Sequence, residues 1–422
     1  MKSINSREWV KTIAARGGII AFFVMAFEVM IMISPFAFFF YSVFNPVFHW
    51  LGSYPATRWL THFFLPHMIL PPTLPLRAIR VAGSVLFLAG AAAFIVCALQ
   101  VYLGKIFGRG IASRGIYRIV RHPQYTALGI WGVGMAILWP RFIVLASLSA
   151  MFILYYFLAK DEEGRMLALH GDSYREYMRR TGMFLPFIGR SGNARPVAGV
   201  RLTRRSSLAF ASVAAFVIGS GFFCRSVTLN SLELASADNI TLVSIMPEDK
   251  ARQPEVLRTV SDGRIDFLSK NKDYLGYEMP VDYVMQGMIA NTGQEHHLFK
   301  QHHTVALITD WVLHPFAHLR RSPSAQMAKM MHADPAMARR HHCPLAINDA
   351  EMDCNTCDYR RVIFVEVDNP SKMHRSGKDL FAFNATRIPV GFIDLNTRTG
   401  RIVNMQRVDS KTAWSDVPTP AI

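Results

Sequence analysis

The sequence predicts a polytopic α-helical membrane bundle of about five transmembrane helices, one pair a short helical hairpin, followed by an α+β extracytoplasmic domain. Three observations carry this reading. The chain is 51% apolar with a mean hydropathy of +0.19 although 18% of its residues are charged, a combination unusual for a water-soluble protein. Its apolar residues gather into long runs before residue 225. Its charge is also divided unevenly: residues 1–224 hold 23 Lys/Arg against 7 Asp/Glu, while residues 225–422 hold 23 of each. The whole formal charge of +16 therefore belongs to the apolar half, and the basic balance gives no argument for a nucleic-acid partner.

A bilayer core of ~30 Å needs about 20 apolar residues per helix, which selects Gly18–Phe44, Val81–Leu103, Thr126–Leu158 and Leu208–Cys224 as membrane segments. The third is too long for one straight span and is interrupted by Trp139-Pro140-Arg141. Proline removes a backbone donor and clashes with the preceding turn, so this segment is read as two short helices joined by a tight turn. Leu51–Leu76 is apolar too, but Pro55, Pro66, Pro71, Pro72 and Pro75 interrupt it, and it is read as an interfacial or re-entrant loop. The basic N-terminus and long first apolar run are read as an uncleaved anchor, because a signal-peptide core spans only ~7–15 residues.

Cations set the orientation. With a cytoplasmic N-terminus and five spans, 19 Lys/Arg fall on inner segments and four (Arg58, Arg77, Arg80, Arg141) on outer loops before the last span. This positive-inside bias puts the neutral C-terminal half outside, in the periplasm if the source is a bacterium with the chain in its inner membrane. The domains expected are a transmembrane bundle at 1–158, a cytosolic amphipathic segment at 159–205, a transmembrane anchor at 206–224 and an extracytoplasmic His-rich domain at 225–422. In the last of these, Arg361–Val367, Val390–Leu395 and Arg401–Met405 read as strands, the latter two joined by the turn Asn396–Gly400. Thr304–Leu313 reads as a strand or a buried helix.

The residues that carry chemistry flank the hairpin on its cytosolic side. Arg121-His122-Pro123-Gln124-Tyr125 enters it, and Asp161-Glu162-Glu163 follows it, then His170-Gly171-Asp172-Ser173-Tyr174-Arg175-Glu176-Tyr177. Singly, such charges at a helix end are ordinary interfacial anchors. Together, an Arg-His-Pro-x-Tyr loop, a Glu-Glu pair across a hairpin and a Gly-x-x-Tyr-x-x-Tyr tail resemble the isoprenylcysteine carboxyl methyltransferase and phospholipid methyltransferase-like membrane family, over roughly Val81–Pro186. Ala127 stands where that pattern has glycine, and His170 where an aromatic usually precedes the glycine.

The resemblance implies an S-adenosylmethionine-dependent methyltransferase whose cofactor is held by His122, Pro123, Tyr125, Glu162, Glu163, Tyr174 and Tyr177. The residue types agree with such a cofactor. A sulfonium, an ammonium, a carboxylate and an adenosine ask for anionic, cationic and aromatic groups close together. Arg121 and His122 can donate to a carboxylate, Glu162 and Glu163 can face an ammonium or ribose hydroxyls, and the tyrosines offer ring faces. Methyl transfer is a displacement whose rate comes largely from positioning. Arg121 and Glu163 are the catalytic candidates; a thiol or amine acceptor needs a nearby base to take its proton, whereas a carboxylate acceptor needs only Arg121 or Arg118 to orient it. The partners implied are the lipid bilayer and a lipid-like or small apolar acceptor; the oligomeric state is left open. Glu28, an acid within the first span, is either functional or hydrogen-bonded to a neighbouring helix.

Ten of the fifteen histidines lie between His296 and His374. Cys343, Cys354, Cys357 and one of His341 or His342, with His342 the first choice, would suit zinc or copper. A disulfide among the same cysteines is the competing reading in an oxidising compartment. A membrane-anchored metal-binding or sensing protein with a methyltransferase-like scaffold is therefore the alternative to the enzyme. Cys97 and Cys224 are read as packing residues.

Overall fold

A computed structural model describes residues 50–67, 69–106, 115–189, 204–263, 265–281, 359–368, 377–397 and 399–408, with the single positions 17, 23, 286, 289, 290 and 316. Gly18–Phe44, Glu28 and Thr304–Leu313 thus lie outside the described residues, apart from position 23. The described chain divides into two compact units, one from Ala82 to Gly221 and one formed by residues 50–81 with those from Phe222 onward.

Helix α1 (Leu74–Ile106) opens the helical part, α2 (Pro123–Leu138) and α3 (Phe142–Arg180) form an antiparallel hairpin, and α4 (Arg204–Ser231) follows. Stretches of α1, α3 and α4 are long and apolar enough to cross a bilayer. With 16 residues, α2 would span only ~24 Å and falls short of that length. Pro123 occupies the first turn of α2, where its missing N–H costs nothing. The hairpin breaks at Trp139–Arg141 as the proline requires: Arg141 is extended (φ −91°, ψ 138°) and caps α3. Tight helix packing rests on glycines. A Cβ on Gly90 of α1 would fall 2.4 Å from the Trp131 backbone nitrogen, and one on Gly134 of α2 would fall 2.4 Å from that of Phe87. Backbones this close admit no side chain.

The second helix of the hairpin is not short. It runs through the expected boundary at Leu158 to Arg180, with one kink at Gly171 (φ 53°, ψ −124°), a left-handed conformation that glycine adopts without steric cost.

The other unit is built on a six-stranded sheet in the order β1 (Leu234–Ala237), β2 (Ile240–Ser244), β3 (Asp273–Pro280), β4 (Tyr359–Asp368), β5 (Thr386–Asn396), β6 (Arg401–Arg407). Only β2 and β3 are parallel, and helix α5 (Gln253–Asp262) forms their crossover. Alternation along the central strands divides two cores. Leu275, Tyr277, Ile363 and Val365 face one side with Phe381, while Leu242, Tyr274, Val362 and Phe364 meet Val256, Leu257 and Val260 of α5. The three strands read from sequence are β4, β5 and β6, and the Asn396–Gly400 turn closes with Gly400 at φ 64°.

Leu51–Leu76 departs from its expected form. After a helical turn at Pro55–Arg58 the chain packs against the sheet: Ile69 enters the Leu275 core, and Leu70 N–H donates to Ile245 O at 3.0 Å. Phe63, Phe64, Leu65, Ile69 and Leu70, which suggested a membrane loop, are buried in protein, while Tyr54 and Leu74 remain exposed. Arg225 of α4 ties the same segment down, donating to Phe63 O (2.5 Å) and Phe381 O (2.6 Å).

Candidate functional site at the mouth of the hairpin

The loop Gly115–His122 reaches the mouth of the hairpin and meets α3 there. Arg121 Nε donates to Glu163 Oε1 at 2.7 Å, with side-chain exposures of 0% and 3%. The rest of its guanidinium points to backbone carbonyls: Nη1 donates to Met178 O (3.1 Å) and Thr181 O, and Nη2 to Gly189 O (2.8 Å). Arg121 is therefore spent largely on the protein itself. Glu163 and Met178 lie fifteen residues apart, ~22 Å along a straight helix, yet one side chain binds both. The Gly171 kink makes this reach feasible by turning the end of α3 back toward α2.

His122 stands between the two acids. Nδ1 is 3.5 Å from Glu162 Oε2, and Nε2 is 3.6 Å from Glu163 Oε1. Burial opposes charging of the ring, but the carboxylates on both sides outweigh it and raise the His122 pKa above its ordinary 6.5. Nε2 is buried with Glu163 Oε1 just beyond hydrogen-bond length, which leaves room for a polar group of a ligand to complete its bonding. Lys160 Nζ neutralises the other oxygen of Glu163 at 3.0 Å. The two acids differ in access, since the Glu162 side chain is 47% exposed and that of Glu163 only 3%.

The tyrosines take distinct positions. Tyr125 lies nearly parallel to His122 (ring centroids 5.6 Å, 9° between planes) and to Tyr155 (4.9 Å, 13°), and its hydroxyl is 3.5 Å from Glu162 Oε2. Tyr174 is buried beside Leu167, Met178 and Tyr177. Tyr177 donates to Tyr117 O at 2.6 Å, fastening the kinked end of α3 to the entry loop. These contacts bring Arg121, His122, Tyr125, Glu162, Glu163, Tyr174 and Tyr177 together, while Pro123 starts α2 beside His122.

Sequence reading missed several members. Tyr155 lies seven residues before Glu162, on the same helical face, a spacing that could have found it. The carbonyls of Met178, Thr181 and Gly189 leave no trace in residue type. Neither does the backbone lacing of Arg121 N to Gly182 O (2.9 Å) and His122 N to Met183 O (3.1 Å).

Cys343, Cys354, Cys357, His341 and His342 lie outside the described residues. Among the described residues no group of three or more His, Cys, Asp or Glu side chains is arranged to share a metal, and Cys97 and Cys224 are free thiols.

An apolar helical hairpin with a buried Arg-His-Glu cluster at its mouth defines the class: an integral membrane domain with a polar site at one end of its helices. Residues 79–172 match the family model for phospholipid methyltransferase, and this segment is a domain of the phospholipid and isoprenylcysteine methyltransferase family. It is similar to a protein-S-isoprenylcysteine O-methyltransferase of Schizosaccharomyces pombe, 29% identical over 102 residues that cover 21% of this chain and 42% of that protein. A probable protein-S-isoprenylcysteine O-methyltransferase of Oryza sativa subsp. indica is 31% identical over 81 residues, 18% of this chain and 41% of the relative. A methanethiol S-methyltransferase of Crocosphaera subtropica is 34% identical over 74 residues, 18% and 28%. The chain thus spans less than half the length of these curated relatives. No solved structure matches it significantly.

Proposed function

We propose that the chain is a membrane-embedded S-adenosylmethionine-dependent methyltransferase acting on a lipid-like or small membrane-permeant acceptor. The observation that carries the proposal is His122, buried between Glu162 and Glu163 with no partner at hydrogen-bond length on Nε2, inside a segment that matches a methyltransferase family. The residues fit the cofactor. Glu162 is an open carboxylate for a cationic or hydroxyl-bearing group, His122 a buried partner for a polar one, and Tyr125 and Tyr155 an aromatic wall. When bound, S-adenosylmethionine supplies an electrophilic methyl group.

The chain's own task is positioning. Arg121 holds Glu163 and the Thr181–Gly189 turn in place rather than reaching outward. Glu163, buried and paired with two cations, faces His122 Nε2 at 3.6 Å and, with Glu162, favours the charged ring. Glu162, exposed and beside His122, is the better candidate to receive a proton from a thiol or amine acceptor.

The proposal extends to topology: five spans, with the N-terminus and site cytoplasmic and the sheet domain extracytoplasmic. Ile69 and Leu70 pack on the sheet, so the loop before α1 and the domain after α4 share a side, which supports that reading.

The test is calorimetric titration of S-adenosylhomocysteine into the detergent-purified full chain. Binding is expected, weakened at least ~10-fold (about 1.4 kcal/mol) by Glu162→Ala and by His122→Ala. A parent protein that takes up no S-adenosylhomocysteine overturns the proposal. Labelled-methyl profiling of lipids and metabolites with and without the chain then identifies the acceptor.

A further inference from the structure

The turn that follows α3 has a surface that the cofactor site does not use. Leu185, Phe187 and Ile188 expose 53%, 74% and 63% of their area, and Ile119, on the entry loop beside it, exposes 55%. Contiguous apolar exposure of this kind marks a surface made to be covered. The turn is also firmly built. Met183 N–H donates to Ile188 O (2.9 Å), Ile188 N–H to Leu185 O (3.3 Å), and Phe187 is held at φ 68°, a backbone state that a bulky residue rarely adopts. The conformation turns three large apolar side chains outward together.

Two further observations say what covers them. The first is level: Thr126 of α2 donates to Phe184 O at 2.8 Å, and Gly182 N–H to Ile119 O at 3.2 Å, so the turn is fastened where α2 begins, at the mouth of the apolar hairpin. The second is charge. Arg118 precedes Ile119, and Arg179 and Arg180 precede the turn, all three exposed; Glu176, paired with Arg179 (3.2 Å) and Arg180 (2.8 Å), offsets only one of them. An apolar tip rimmed by arginines matches a leaflet surface with anionic headgroups.

We propose that the Phe184–Gly189 turn is an interfacial anchor, inserting Leu185, Phe187 and Ile188 among the acyl chains of an anionic leaflet while Arg118, Arg179 and Arg180 meet its headgroups. This is a membrane contact separate from the spanning helices, and it goes beyond the methyltransferase reading without depending on it.

The experiment places a nitroxide at Phe187→Cys or Ile188→Cys in the full chain. The label is read in nanodiscs of phosphatidylcholine with or without phosphatidylglycerol, with the parent carried through the same labelling as baseline. Collision with oxygen should dominate over collision with a water-soluble nickel chelate at both positions, whereas Asp172→Cys, at a site whose side chain is 92% exposed, should show the reverse. Arg179→Gln with Arg180→Gln should shift the position 187 label toward water in the phosphatidylglycerol discs. Chelate-dominated collision at both 187 and 188 overturns the proposal. So does protection from both reagents, which would indicate a protein partner or a second copy. Two positions are used so that misfolding of one variant leaves the other decisive, and neither reading requires the cofactor to bind.

Discussion

Arg121 and Glu163 form a 2.7 Å ion pair closed to solvent, and the same guanidinium gathers the carbonyls of Met178, Thr181 and Gly189. One side chain thus joins the entry loop, the acid pair and the turn beyond α3. Arg121→Met strips Glu163 of its closer cation and takes the guanidinium donors from three carbonyls. Breaking one partner of a buried pair costs about 3–5 kcal/mol, so the thermal unfolding midpoint in detergent should fall markedly. Glu162→Gln, at a half-open carboxylate, should alter stability by less than about 1 kcal/mol while still weakening S-adenosylhomocysteine binding. Equal stability losses in the two variants would contradict this division of labour.

Gly90 meets the backbone of Trp131, so even one carbon there must push the helices apart. Gly90→Val should lower the yield of folded protein and reduce the unfolding midpoint. Gly219 has open space within 4 Å of its Cβ direction, and Gly219→Ala should leave both unchanged.

In the sheet domain, Arg361 of β4 is paired with Asp394 of β5 at 2.7 and 2.9 Å and with Gln286 at 2.7 Å. Its guanidinium lies 4.1 Å from the Phe392 ring centroid. Arg361→Met would leave Asp394 charged in a closed core, and the cost should be about 3–5 kcal/mol, read as an earlier denaturation midpoint of the full chain. Arg361→Met combined with Asp394→Leu should recover much of that loss.

Glu278 of β3 is fully buried, and neither carboxylate oxygen has a hydrogen-bond partner. Burial, reinforced by nearby Asp249 and countered in part by Arg360 and Arg252, pushes its pKa up to about 8 from an ordinary 4.5. A raised acid pKa means that the unfolded chain gives up the proton first as pH rises. Stability should therefore decline between about pH 4.5 and pH 8 and level off above. Glu278→Gln should flatten that decline, with its advantage over the parent larger at pH 8 than at pH 5. A constant difference across that range would show that Glu278 is not the titrating group.

Much of this arrangement was legible in the residues. Apolar length marked the three described helices that are long enough to cross a bilayer, and Pro140 marked the hairpin because a missing N–H and a steric clash act within one turn. Arg121-His122-Pro123 and Glu162-Glu163 could be read as one site because the helices between them return the chain to where it entered. Alternating β-branched residues announced β4, β5 and β6, whose pattern repeats every two residues whatever lies around them.

Tertiary structure decided what local pattern does not encode. Within Leu51–Leu76, Ile69 and Leu70 pack on the sheet, a contact no local pattern announces, since apolar side chains are satisfied equally by lipid and by a core. Glu163 in the middle of α3 and Met178 near its end meet through Arg121 because Gly171 bends the helix between them. The residue type of Arg121 announced a donor, and the three-dimensional arrangement turned that donor inward, where carbonyls more than fifty residues away could accept it. The likeness of residues 79–172 to a methyltransferase family, and the meeting of Arg121, His122, Glu162 and Glu163 at one end of a helical hairpin, were written in the sequence by short-range chemistry. Which acid is open, which arginine is consumed and which turn exposes its apolar side chains depended on contacts between residues distant along the chain.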